Sequence, residues 1–156
     1  MKNSKFKIQN SKLVPKAFTL VELMIVVSIL GILAAVVLPQ IQNHVQKARE
    51  SQAKANLRIL RGAIERYYAD HGVAPGYPGN DPSLNPGYLH LLSQLTGDKP
   101  YLPNLPTNPF NSSSDIEVLG NNDTLTEPTT SDSAYGWVYH PATRTVKINT
   151  PGYFDY

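Results

Sequence analysis

A run of twenty-one residues, from Phe18 to Leu38, constrains this chain more than any other stretch, because its only charge is that of Glu22. As a helix rising about 1.5 Å per residue, the run would measure roughly 30 Å, the thickness of the hydrocarbon core of a bilayer. Placing a carboxylate in the middle of a membrane costs about 3 kcal/mol of free energy, so such a group usually has a partner. The run therefore predicts a membrane-inserted helix whose one acid needs a partner.

The seventeen residues before this run are basic, with five lysines and no acid. A secretory signal has its small-residue cleavage site after the apolar core. Here the small residue, Ala17, stands before the core and follows Lys16. A cut after Ala17 would therefore leave the apolar helix on the mature chain.

This arrangement resembles the type III signal of type IV prepilins and of type II secretion pseudopilins. The resemblance rests on Lys16, Ala17 and the sequence Phe18-Thr19-Leu20-Val21-Glu22, and it is strong over about residues 13–70. In that family a prepilin peptidase cuts before Phe and methylates the new amino terminus, and the acid four residues on guides assembly. The resemblance therefore implies a cut between Ala17 and Phe18 and an assembly role for Glu22. The family more often has Gly where Ala17 stands. The alternative is a signal anchor with an isolated acid.

The charge of the chain changes on processing. The formal net charge is +2, but removal of the leader leaves nine basic residues against twelve acids, about −3. Lysine-rich flanks stay cytoplasmic, which predicts that the rest of the chain lies across the inner membrane. The chain has no cysteine and so no disulfide framework. Many type IV pilins close a C-terminal loop with a disulfide, whereas major pseudopilins commonly lack one, which favours the second subfamily.

Pro39 ends the apolar run and predicts a kink, because proline within a helix removes a hydrogen bond. The helical pattern nevertheless resumes after it. Apolar residues then recur at steps of three and four, as expected for one buried helix face: Ala53, Leu57, Leu60, Ile64 and Tyr67. Gly72 is the expected C-cap of this helix. A helix from Phe18 to about Asp70 would be roughly 80 Å long.

Beyond residue 72 the sequence predicts short elements between Pro- and Gly-rich loops. Residues 88–95 could form a short helix and residues 116–119 a strand. Alternation in two runs predicts a β-hairpin turning at residues 141–143, with Tyr135, Trp137 and Tyr139 on one arm and Val146 and Ile148 on the other. The expected fold class is α+β, a long N-terminal helix packed against a small antiparallel sheet. The expected organisation is a leader (1–17), the membrane and assembly half of the helix (18–42), and a globular pilin-like domain (43–156).

Two further segments resemble parts of major pseudopilins. Residues 101–110 are similar to the segment that follows the long helix there, with Asn108 where Asp is usual and Phe110 where Trp is usual. Residues 119–123 with 131–133 resemble the calcium-binding loop. That resemblance implies Asp123 and Asp132 as calcium ligands, since calcium prefers carboxylate and carbonyl oxygens. The alternative is a polar turn without metal.

The sequence shows no catalytic constellation, so an enzyme is not expected. The four histidines, at positions 44, 71, 90 and 140, lack ligand spacing. The basic residues between Lys47 and Arg66 could suggest nucleic acid. The favoured interpretation is that these basic residues form a solvated helix face, directed at lipid headgroups or at acidic loops of neighbouring copies, and do not bind nucleic acid.

Together these features predict a structural subunit of a filament anchored in the inner membrane, most simply the pseudopilus of a type II secretion system. The alternative within the family is a type IV pilus subunit for adhesion, motility or DNA uptake. A membrane-anchored enzyme or binding module is the alternative outside it. The expected partners are further copies of the chain, minor pilins or pseudopilins, the prepilin peptidase and the inner-membrane assembly platform.

Overall fold

The computed structural model describes residues 18–98, 100–130 and 134–156, and at Pro39 it describes the backbone but not the side chain. The α+β class is confirmed. Within the described residues, two helices and three strands follow one another in the order α1 (Leu20–His71), α2 (Tyr88–Thr96), β1 (Ile116–Val118), β2 (Trp137–His140) and β3 (Thr145–Ile148). Single 3₁₀ turns cover Pro78–Asn80 and Pro141–Thr143. The structure divides into two compact units, one ending at Gln42 and one covering Asn43–Tyr156.

The first unit contains the apolar start of α1. Every described side chain from residue 18 to residue 45 is exposed, Pro39 being left out. By length and composition, α1 is the one helix among the described residues that could cross a membrane. It continues through Pro39 without interruption, and the kink predicted there stays a prediction.

The second half of α1 supplies the core of the second unit. Its predicted stripe is confirmed, since Ala53, Leu57, Leu60, Ile64 and Tyr67 are all 4 % exposed or less. Spacing of three and four places these side chains on one face of a helix. That face packs against apolar residues from α2 and from all three strands, chiefly Leu91, Leu95, Ile116, Trp137, Tyr139, Val146 and Ile148.

Gly72 ends α1, as predicted. Its φ of +71° is a left-handed conformation that suits glycine, and its amide donates to the Tyr68 carbonyl oxygen at 2.8 Å. The Tyr101 hydroxyl donates to the Asp70 carboxylate at 2.7 Å, a hydrogen bond that raises the pKa of Tyr101 to about 12. Arg66 donates to the Tyr101 carbonyl oxygen at 2.9 Å. The last turn of α1 is thus fastened to the Pro-rich segment.

The sheet is mixed, which corrects the purely antiparallel sheet predicted from the sequence. Its order is β1-β2-β3. The predicted hairpin is confirmed, with β2 and β3 antiparallel and Trp137 opposite Ile148. Strand β1 instead lies parallel to β2, with Ile116 opposite Trp137. Parallel neighbours need a connection of a dozen residues or more, and the long polar segment between β1 and β2 supplies one.

Asn108 is the polar centre of the second unit and is completely buried. Its Nδ2 donates to the Gly136 carbonyl oxygen at 2.8 Å and to the Thr150 hydroxyl at 3.1 Å. Its Oδ1 accepts from the Phe110 amide at 3.0 Å. The side chain amide therefore joins the Pro-rich segment to the start of β2 and to the residues after β3. Donation to a carbonyl requires the amide nitrogen, which an ionised aspartate lacks.

The residues after β3 return to α1. The Tyr153 ring stacks on Phe110 with ring centres 4.1 Å apart, and its hydroxyl is hydrogen bonded to Gln46. Lys54 lies 3.8 Å from the centre of the Tyr156 ring. The aromatic tail therefore covers the helix where the core stripe begins.

Tyr139 provides a test of this packing. Its ring is buried, and its hydroxyl has no hydrogen-bond partner among the described residues. A buried hydroxyl without a hydrogen-bond partner lowers the free energy of unfolding by about 1–3 kcal/mol. We expect Tyr139→Phe to raise the melting temperature of residues 43–156 by about 4 °C, since 1 kcal/mol corresponds to that shift at this size.

The matched control is Tyr77→Phe, which removes a hydrogen bond of 2.7 Å from the Tyr77 hydroxyl to Asn121 and should lower the melting temperature. Burial raises the pKa of Tyr139 well above its ordinary value. The unfolded chain therefore loses this proton first, so the wild type should lose stability as the pH rises above about 10. Tyr139→Phe should lose less. Equal melting temperatures and equal pH profiles would contradict the assignment.

Candidate processing and assembly site

The start of α1 is built by Thr19 and Glu22, which form a capping box. The Thr19 hydroxyl accepts from the Glu22 amide at 3.2 Å. The Glu22 carboxylate accepts in return from the Thr19 amide and hydroxyl, each at 3.3 Å. Two amides at the helix start, which have no partner within the helix, are thereby satisfied.

Sequence reasoning missed this arrangement, although its signal was present. Thr-x-x-Glu before an apolar run is the pattern of a capping box, and Thr19 and Glu22 have that spacing. The sequence predicts only an assembly role for Glu22. In the structure the carboxylate has an intrahelical use as well, and it also lies where the positive end of the helix dipole favours an anion.

The predicted cut site lies at the edge of the described residues. Phe18 is 80 % exposed and immediately precedes the capping box, whereas Ala17 lies outside the described residues. Phe18 and Glu22 are four positions apart, which is about one helical turn. A free amino group at Phe18 would therefore arise close to the Glu22 carboxylate.

The predicted calcium loop is described only in part. Asp123 is exposed, and its Oδ2 accepts from the Gly120 amide at 2.7 Å, which closes a tight turn. Asp132 lies outside the described residues. The described residues contain no group of three or more His, Cys, Asp or Glu side chains placed to hold a metal. Among the described residues the other carboxylate oxygen of Asp123 accepts no hydrogen bond, and the calcium site stays a prediction.

His140 and His71 have structural roles. The buried His140 ring lies 3.1 Å from the Asp123 carbonyl oxygen through Nε2, and its Nδ1 accepts from the Thr143 amide at 3.3 Å. His71 stacks on Tyr67 with ring centres 4.1 Å apart. Both rings thus pack within the second unit.

Comparison with known proteins matches the same N-terminal region. A family model described as the prokaryotic N-terminal methylation motif covers residues 15–38, from the end of the leader through the apolar run. The chain is pilin-like.

Its relatives fall into two groups. It is 48 % identical over 64 residues to the fimbrial protein EcpC of Eikenella corrodens, covering 41 % of this chain and 42 % of that protein. It is 44 % identical over 68 residues to a type IV major pilin of Neisseria gonorrhoeae, covering 44 % of this chain and 30 % of the pilin. It is 34 % identical over 101 residues to the type II secretion system core protein G of Pseudomonas aeruginosa, covering 60 % of this chain and 66 % of that protein.

The pilin-like chain thus spans less than half the length of the first two relatives and about two thirds of the third. None of the three is named as an enzyme. No solved structure matches the chain. The methylation motif and the exposed apolar start of α1 fit a pilin-like protein anchored in the inner membrane.

Proposed function

We propose that this protein is a structural subunit of a filament that grows from the inner membrane, with the pseudopilus of a type II secretion system as its assembly. The observation that carries the proposal is the methylation motif over the exposed, apolar start of α1. A helix that is apolar on all sides must be covered by lipid or by other helices. Before assembly, lipid covers this apolar segment. In the filament, the corresponding segments of other copies cover it.

The extent of the matches favours the pseudopilus. The secretion protein aligns over 60 % of this chain, which is more than the N-terminal helix contributes, whereas the type IV pilins align over 38–44 %. The absence of cysteine points the same way. A type IV pilus subunit is the alternative, supported by the higher identity of the pilins within the shorter aligned region.

The proposed topology follows from charge. The lysine-rich leader stays on the cytoplasmic side, so residues 43–156 lie in the periplasm. A prepilin peptidase processes the chain, the assembly platform adds it to the filament, and minor subunits of the same family accompany it. No nucleic acid partner is proposed.

Deleting the gene separates the two assemblies. In the source bacterium we expect secreted enzymes to be retained in the periplasm while surface pili persist. Loss of pili with normal secretion would favour the type IV pilus alternative. Loss of neither would contradict both.

Processing is the first prediction from this function. The intact mass of filament protein should match a chain that begins with N-methylated Phe18. Replacing Ala17 with leucine should leave full-length precursor in the membrane, because a bulky residue stands where the peptidase needs a small one, and Ala17→Gly should be processed normally. Filament protein that retains residues 1–17 would contradict the predicted cut.

The second prediction concerns the role of Glu22 in assembly. After the cut, its carboxylate can pair with the amino group at Phe18 of a neighbouring copy as the apolar helix enters the filament. Removing one partner of a buried pair costs about 3–5 kcal/mol. We expect Glu22→Ala to be cleaved and inserted but to assemble at under a tenth of the wild-type level, measured as sheared filament protein, and Glu22→Asp to be partly defective.

The capping box supplies the control for this experiment. Glu22→Gln keeps a side chain that can cap the helix start but removes the charge. Thr19→Val removes the hydroxyl and keeps the charge. If the charge sets assembly, Glu22→Gln should fail and Thr19→Val should assemble. Normal filaments from Glu22→Gln would show that capping, not pairing, is the role of this residue.

Calcium binding at Asp123 and Asp132 is the third prediction. A ligand that binds the folded state raises its stability by mass action. Residues 43–156 should therefore melt at a lower temperature in chelator than in millimolar calcium, and the double variant Asp123→Asn, Asp132→Asn should show no difference. Magnesium at the same concentration is the control. An unchanged melting temperature of the wild type would contradict the site.

A further inference from the structure

Charge is unevenly distributed along the second unit. Residues 43–71, the second half of α1, contain six basic residues and three acids. Residues 72–143 contain seven acids and one basic residue, Lys99. The helix and the segment after it therefore carry opposite net charge.

The basic side chains Lys54, Arg58 and Arg61 form one surface, the basic flank. Spacings of four and three place them on one side of α1. Arg61 donates to the Val146 carbonyl oxygen of β3 at 3.1 Å and to the main-chain oxygen of Tyr156 at 2.7 Å. The three side chains surround a shallow cavity of about 150 Å³ that Tyr156 also lines. The basic flank thus lies beside β3.

The acidic side chains Asp115 and Glu117 form the opposing surface, the acidic flank. They are two positions apart on either side of Ile116, which is completely buried, so both point away from the core. Asp115 accepts a hydrogen bond from the Tyr88 hydroxyl at 3.0 Å, which ties this flank to α2. Since the sheet order is β1-β2-β3, β1 and β3 are its two edges. The flanks therefore lie at opposite edges of the sheet.

Neither flank forms a side-chain ion pair within the described part of its own chain. Among the described residues the ion pairs are Arg144 with Glu65 at 3.4 Å and Lys147 with Asp155 at 3.7 Å. No flank residue belongs to either pair. Within the described part of the chain, the side chains of Arg58 and Glu117 also make no hydrogen bond.

We propose that the basic flank of one copy lies against the acidic flank of the next copy in the filament, an inference that rests on the proposed function. Single exposed ion pairs contribute little stability, but complementary charged surfaces favour the correct register and disfavour others. A contact between two different surfaces repeats without closing unless the rotation completes a ring. Opposite edges of one sheet supply two such surfaces.

Charge exchange in the full chain tests the contact. In cells that assemble the filament, Arg58→Glu and Glu117→Lys should each lower sheared filament protein at least fivefold, because like charges then face one another. The double variant should recover to within twofold of wild type. Arg49→Glu is the matched control, since nine positions turn the helix by about 180° and place Arg49 on the side opposite Arg58. It should assemble normally.

Cysteine pairs test proximity directly, since the chain has no cysteine of its own. Arg58→Cys with Glu117→Cys, and Lys54→Cys with Asp115→Cys, should give ladders of disulfide-linked copies when filaments are oxidised. The edges are separated within one copy, so each rung of the ladder reports two copies. Arg49→Cys with Glu117→Cys should give none.

These experiments distinguish five outcomes. Recovery by charge exchange together with a ladder supports the contact. Normal assembly of both single reversals, or the absence of a ladder from either pair in filaments that do form, overturns it. Loss of binding to anionic lipid vesicles by Arg58→Glu, without loss of filaments, would assign the basic flank to the membrane and also overturn the contact. Failure of the wild type to form any filament would instead contradict the proposed function.

Discussion

The structure of residues 43–156 depends on the burial of one stripe of α1. Ala53, Leu57, Leu60 and Ile64 are at most 2 % exposed, and burial of side chains of this kind is worth about 1.5–3 kcal/mol for each large one. The sheet and α2 have no other apolar layer among the described residues on which to pack. The short strands, of three and four residues, gain their stability from this layer, because small isolated sheets are marginal in water.

One helix thus carries two kinds of apolar surface. Between Ala53 and Tyr67 the apolar residues occupy one face, and the chain's own sheet covers that face. Between Phe18 and Leu38 they occupy every face and are exposed in the single chain. The first pattern is satisfied by folding, whereas the second requires lipid or further copies to cover it. The charged flanks proposed to face one another belong to the second unit.

Sequence patterns predicted the features that depend on local periodicity. The stripe of α1, its end at Gly72, the short helix α2 and the hairpin of β2 and β3 all follow from spacing and turn residues. The antiparallel sheet predicted from the sequence was wrong at β1, which pairs with β2 in parallel. Pairing across a long connection is decided by tertiary packing, which local patterns do not report. Asn108 gave no periodic signal as a buried hydrogen-bonding centre, since a polar residue among prolines ordinarily predicts an exposed loop. At the site, the capping box of Thr19 and Glu22 was readable but was overlooked, while Ala17 and Asp132 lie outside the described residues.

The return of the aromatic tail to α1 has a consequence for the order in which the domain can form. Hydrogen bonds from α1 to β3 and the tail join residues 85 to 107 positions apart. Contacts of such high sequence separation slow folding, because a long loop must close before they form. During synthesis at about 5–20 residues per second, α1 is exposed to the ribosome surface or the membrane for several seconds before Tyr153 exists to cover it. Insertion of the apolar half can therefore precede completion of the globular unit, and the order of synthesis itself separates the two events.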